Sequence, residues 1–339
     1  MNTDLIRPPT SLTELGKQAN SYAAHDAFAE YRSRLDPATL IRHAYDLGLW
    51  CVYLEDAGVS LTVKDLLTTP QQWAGTTHGL IRGFVKWMLL DGFAIGTVNV
   101  RLSTVRSYAK LAAVAGFLAP TELALIEQIK GYGYQTGQNV DAQRPVSRKG
   151  AKKARPVLIT AEQRIQLKRQ HPDTPQGRRD ALLMCLLLDH GLRCGEVADL
   201  LAHDVLLSTG TMTLTREKSK LTQTHMLSAD TLLALLRYQE VATPDGPLLV
   251  GSRKGHNGQH LEGTMSRRAI TKRVCMLGKR ILGLTGFSAH DCRHAWVEAA
   301  IRGKTDIKAL QDAGGWGSPV MPLRYAAAAD IANSGVTLA

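Results

Sequence analysis

The stretch "RRDALLMCLLLDHG", residues 178–191, constrains this chain more than any other. Its eight consecutive apolar residues, Ala181 to Leu188, cover every face of a helix, so no side of that helix can be left in water. The run falls well short of the roughly 18 residues that span a bilayer. No longer apolar run exists, so no membrane segment is expected. A domain must therefore be built around this helix, which Gly191 is expected to end.

The flanking sequence supplies the packing partners. "LITAEQRIQLKRQ" opens a helix with Thr160 as its N-cap. "DVLLSTGTMTLTREKSKLTQTHMLS" alternates short β-prone runs with turn residues at Ser208 to Gly210 and Lys218 to Thr222, the pattern of a small antiparallel sheet. Helical periods resume in "ADTLLALLRYQEV", "MSRRAITKRVCMLGKRIL" and the segment from His290 onward. No βαβ alternation is present. Upstream, from Pro37 to about Ile129, apolar residues recur at helical spacing, with Gly58, Gly92 and Gly116 placed as C-caps. Four or five helices are expected there. Between the halves, Gly, Gln and Pro interrupt every period, and six Lys or Arg fall between Arg144 and Arg155.

A length of 339 residues suits two domains, each with its own core. The expected fold is mainly α: a helical-bundle domain at 1–135, a basic linker at 136–156, an α-rich domain with one small antiparallel sheet at 157–327, and a tail at 328–339.

Forty-one Lys and Arg against 30 Asp and Glu leave a formal charge of +11, which makes a polyanion, nucleic acid first, the expected partner. The linker cations Arg144, Arg148, Lys149, Lys152, Lys153 and Arg155 would lie along phosphates. The five cysteines are widely spaced without a CxxC and read as reduced thiols. The opening "MNTDLIRPPT" lacks the apolar core of a secretory signal, so a cytoplasmic, nucleoid-associated location is expected.

Chemistry-bearing residues concentrate near the C-terminus. In "HDCRH", His290 and Arg293 are three apart and share a helix flank suited to gripping an anion, while His294 is expected to face elsewhere. Zinc ligation by this cluster is disfavoured, since alternate helical positions diverge and Arg293 would set a permanent cation beside the ion. "HNGQH" reads as a solvated loop. In "HGLRCGEV", Arg193 sits where the buried helix gives way to the next, with Glu196 placed to orient it.

In order, Arg193 in "HGLRCGEV", a lysine in "REKSK", "HDCRH", "GGWGS" and Tyr325, nine residues past Trp316, resemble the signature of the tyrosine recombinases, the phage-integrase family. The resemblance spans both halves. Trp316 stands where many members carry histidine, as in Cre-like members, whereas His294 after Arg293 is typical of integrase and Xer-type members.

The resemblance implies a site-specific recombinase that cleaves and rejoins double-stranded DNA as a homo-tetramer, with no cofactor and no membrane partner. Arg193 and Arg293 would neutralise the scissile phosphate, because a guanidinium fork matches two phosphate oxygens. Tyr325 would attack to give a 3'-phosphotyrosine, with His290 as base or phosphate hydrogen-bonder. Lys218, with Lys220 in reserve, would protonate the leaving 5'-oxygen. Trp316 could donate its indole N–H to a phosphate oxygen. Two other readings are a type IB topoisomerase-like or hairpin-forming enzyme, and a DNA-binding regulator without catalysis.

Overall fold

The computed structural model describes residues 11–150, 156–216, 220–243, 245–252 and 257–326, the last three by their backbone alone. It divides into two compact units, 1–152 and 153–339.

The first unit is helical throughout its described residues: α1 (Leu12–Ser33), α2 (Pro37–Asp56), α3 (Val63–Thr68), a 3-10 turn (Pro70–Trp73), α4 (His78–Leu90), α5 (Ile95–Val114), α6 (Pro120–Glu127) and α7 (Tyr134–Ala142). Asp36 caps α2, with Pro37 in the first turn, and Thr77 caps α4, as the orphan N–H groups of a helix start require. Large aromatics fill the centre: Trp50 lies parallel to Trp73 at 6.5 Å and meets Phe84 edge-on at 5.0 Å. Between Pro37 and Ile129 five α-helices form, within the expected number.

The structure differs in the expected linker. Residues 134–142 are the helix α7, and Arg144 just beyond it turns back into the first unit. Its Nη1 donates to the carbonyls of Leu89 and Phe93, both at 3.0 Å, and its Nη2 to Asp141 and Ser147. The Gln-rich sequence hid this helix because its apolar face is narrow.

The second unit contains α8 (Ala161–Arg169), α9 (Pro175–Asp189), α10 (Cys194–Asp199), a 3-10 turn (Ala202–Asp204), strands β1 (Val205–Leu206), β2 (Thr211–Arg216) and β3 (Leu221–Met226), then α11 (Ala229–Gln239). Next come β4 (Val250–Ser252), β5 (Leu261–Thr264), α12 (Arg267–Leu282), α13 (Ala289–Arg302), α14 (Ile307–Gly314) and α15 (Val320–Ala326). As its composition demands, α9 is central: Leu182 through Leu188 are each 2% exposed or less, and α8, α11 and α13 pack around it. Thr160 caps α8 in a reciprocal capping box with Gln163.

Strands β1, β2 and β3 form the expected antiparallel sheet, with Arg216 opposite Leu221 beside the hairpin turn. A second sheet, β4 with β5, was not expected. "VGS" and "LEGT" are too short and too glycine-rich to show alternation, so they read as loop around "HNGQH", of which His256 lies outside the described residues. All five cysteines are free. Among the described residues, no helix is long and apolar enough to cross a membrane.

Candidate active site

The site begins where α9 ends. Gly191 takes φ +60°, and the Trp296 ring fills the place of its missing Cβ, since an added carbon would lie 2.2 Å from that ring. Two residues later Arg193 is extended and forms the N-cap of α10. Glu196 reaches back from the first turn: its Oε2 accepts from the Arg193 backbone N–H at 2.8 Å and its Oε1 from Nη1 at 2.6 Å. With 41% of its side chain exposed, Arg193 has one edge held and the remainder turned to solvent. Glu196 orients Arg193, as expected of its spacing.

A second arginine shares that carboxylate. Arg216, only 1% exposed, donates from Nη1 to Glu196 Oε1 at 2.8 Å, from Nε to Gln223 Oε1 at 2.6 Å and from Nη2 to the Ala313 carbonyl at 2.6 Å. Burial by itself would raise the Glu196 pKa, but the Arg193 N–H and the Arg216 guanidinium outweigh it and hold the carboxyl below its ordinary range. Sequence reading missed Arg216. The signal was its place in β2, where Met212, Leu214 and Arg216 alternate onto the buried face.

Helix α13 carries the next group. Arg293 is 1% exposed, with Nη1 on the Gly191 carbonyl at 2.5 Å and Nη2 on the Gly314 carbonyl at 2.6 Å. These acceptors lie two residues before Arg193 and two before Trp316. The Arg293 guanidinium lies 4.2 Å over the Trp316 ring, which stacks on Trp296 at 6.1 Å. Trp316 is thus 8% exposed and serves as a shelf for Arg293. His290 is exposed at the rim, one turn from the buried Arg293. His294 does not face away from it: the two rings meet edge to face at 4.8 Å, because residues four apart return to the same helix face. Asp291 folds back onto Ser288 and accepts from the Val157 N–H at 3.1 Å, which uses it in the architecture of α13.

Tyr325 lies on α15, which packs against α13 and α14. Its side chain is outside the described residues, as are Lys218, Lys152, Lys153 and Arg155. The reserve lysine, Lys220, is exposed at the hairpin with φ +53°, its N–H bonded to the Arg216 carbonyl at 2.8 Å. Of the expected DNA-contacting cations, Arg144 has both Nη atoms bonded within the first unit, Lys149 Nζ pairs with Asp91 at 2.5 Å, and Arg148 is half-buried.

Two further histidines flank the site unannounced. His190 Nε2 meets Thr231 Oγ1 at 3.0 Å, and burial lowers its pKa to about 4. His225 on β3 lies 6.4 Å away ring to ring, and burial, with the neighbouring Arg216, lowers it as well.

A model of the "Phage integrase family" matches residues 158–331, just over half of the chain. The chain belongs to the phage integrase family. Among curated relatives of this family member, a tyrosine recombinase XerC from Natranaerobius thermophilus is 26% identical, covering 71% of this chain and 75% of the relative. A XerC from Vibrio campbellii is 22% identical over 71% and 70%. A tyrosine recombinase XerD from Neisseria meningitidis is 30% identical, over 46% and 53%. In fold, the chain resembles a lambda integrase dimer bound to a COC' core site, at TM-score 0.59 and 15% identity, covering 90% and 94% of the two chains. It resembles the Tn1549 transposon integrase in complex with a circular intermediate DNA to the same TM-score, 0.59, at 14% identity over 89% and 94%. Family membership makes the chain a site-specific recombinase of the tyrosine class, as its ordered motifs implied.

Proposed function

We propose that this recombinase cleaves and rejoins double-stranded DNA through a covalent 3'-phosphotyrosine at Tyr325. The observation that carries the reading is that Arg293 Nη1 bonds the Gly191 carbonyl, two residues before Arg193, so the fold brings two arginines distant in sequence to one place. Helix α15, which bears Tyr325, packs against the helix that carries Arg293.

In this scheme the Tyr325 oxygen attacks phosphorus, the bond to the 5'-oxygen breaks, and Lys218 delivers a proton to that oxygen. Arg193 and Arg293 stabilise the charge that grows on the nonbridging oxygens. His290, exposed at the rim, accepts the tyrosine proton or bonds the phosphate. Rejoining reverses the steps with a new 5'-hydroxyl, so the ester energy is conserved and neither ATP nor a cofactor enters. Arg148, Lys152, Lys153 and Arg155 lie along the DNA backbone. Exchange between two duplexes requires four cleavages, hence a homo-tetramer on DNA, and a lambda integrase tetramer bound to a Holliday junction has a similar fold (TM-score 0.58).

The test is covalent trapping on a pool of nicked duplexes of randomised sequence. Wild type should yield detergent-resistant protein–DNA adducts enriched in one sequence, and Tyr325→Phe should yield none. Binding without any adduct would overturn the reading in favour of a regulator. Adducts that give relaxation or hairpins, with no recombinant between two selected sites, would overturn strand exchange.

A further inference from the structure

Arg216 occupies a place where an apolar residue would ordinarily stand. The pleat of β2 sends Met212, Leu214 and Arg216 to the buried side, and a buried guanidinium is tolerated only when its donors are matched. Here the matches come from three different elements. Nε is held by Gln223 on β3, Nη1 by Glu196 on α10 and Nη2 by the Ala313 carbonyl at the end of α14.

The surroundings are shaped to receive this side chain. Gly315 has φ +60°, and a Cβ there would lie 2.2 Å from both Cδ and Nε of Arg216. Gln223 continues the lacing, its Nε2 donating to the Asp312 carbonyl at 2.7 Å. The planar fork suits these three directions, whereas a lysine ammonium at the end of its flexible stem does not reach them together.

All three guanidinium nitrogens of Arg216 are held by protein acceptors; it bonds Glu196, which holds Arg193, and the carbonyl of Ala313, the residue before the one that holds Arg293. Glu196 Oε1 holds Arg193 Nη1, and Gly314, the neighbour of Ala313, holds Arg293 Nη2. We propose that Arg216 is a positioning residue for strand cleavage: through Glu196 it fixes the direction in which Arg193 presents its guanidinium to the scissile phosphate. This rests on the reading of Arg193 as a phosphate-gripping residue.

The experiment compares single-turnover cleavage of two nicked duplexes of the trapped sequence, one with a normal scissile phosphate and one with a methylphosphonate there. The methylphosphonate is uncharged, so a guanidinium that neutralises a nonbridging oxygen matters little on it. Arg193→Ala is measured first and should lose rate chiefly on the phosphate. Arg216→Met should then slow phosphate cleavage by about 100-fold, the scale of a catalytic group misplaced by an ångström, with most of that deficit disappearing on the methylphosphonate. Gln223→Leu, at a half-exposed position, should show the same selectivity with a smaller loss, and it decides the matter if Arg216→Met does not fold.

Equal losses on both substrates would mean that Arg216 only packs the fold, and this overturns the proposal. So would wild-type rates in the folded variants. If Arg193→Ala itself shows no preference, the reading of Arg193 has failed and this proposal fails with it. A preference in Arg193→Ala but not at Arg216 or Gln223 defeats the positioning role alone.

Discussion

Arg193 and Arg216 donate to the same oxygen, Oε1 of Glu196, at 2.6 Å and 2.8 Å. One guanidinium is half in solvent and the other is buried, so a single carboxylate joins the interior of the domain to the edge of the site. Glu196→Gln keeps the shape, removes the charge, and leaves Arg216 buried without its counter-ion. Unpairing a buried ion in this way costs about 3–5 kcal/mol. Urea unfolding should show a loss of that order; a loss below about 1 kcal/mol, the scale of a surface pair, would contradict the coupling.

Arg193 itself is exposed enough to be removed without opening the core. Arg193→Ala is expected to fold normally, bind DNA nearly as wild type does, and cleave about 100- to 1000-fold more slowly, as when one donor to a developing oxyanion is lost. Gel-shift titration and single-turnover cleavage on the same duplex check both halves of this expectation. A parallel loss of binding and rate would assign Arg193 to ground-state affinity.

His190 makes stability depend on pH. Burial, opposed by Asp189, holds its folded pKa at about 4, against 6.5 for the free side chain. Below 6.5 the unfolded chain takes up a proton that the folded chain refuses. The contribution is therefore complete above 6.5 and is lost as the pH falls toward 4, amounting to about 2 kcal/mol between pH 7 and pH 5. His225, lowered by burial and by Arg216, adds in the same direction. Urea midpoints at the two pH values should fall further for wild type than for His190→Asn, and equal falls would show that His190 is not the group responsible.

The cations beyond α7 separate into two kinds. Arg144, with 10% of its side chain exposed, bonds three backbone carbonyls, and Arg144→Met should destabilise the protein by about 2–3 kcal/mol. Arg148→Ala should leave stability unchanged and lower the salt slope of DNA binding by about one. Affinity measured across a salt series, beside denaturation of both variants, distinguishes the roles.

How much of this the sequence disclosed follows from what each residue depends on. The buried helix α9 and the Thr160 cap are local patterns and formed where period and capping chemistry placed them; the β2–β3 hairpin formed too, but Leu221 and Thr222, expected in its turn, pair within β3. Arg193 and Glu196 were legible because one turn of helix joins them. Arg216 was not, since its partners Gln223, Ala313 and Glu196 come from three elements and only the tertiary fold brings them together. Alternation along β2 did mark it, as a charged residue at a buried register. Arg144 misled for the opposite reason: a cation in a basic run reads as solvated, but the carbonyls of Leu89, at the end of α4, and of Phe93, in the connection after it, claimed it.

The most direct measurement is the site of covalent attachment. Wild-type protein trapped on nicked duplex DNA, digested and sequenced by mass spectrometry, should carry the nucleotide on Tyr325 and nowhere else, and Tyr325→Phe should carry none. An adduct on another residue, or a phenylalanine variant that still joins DNA, would contradict the account.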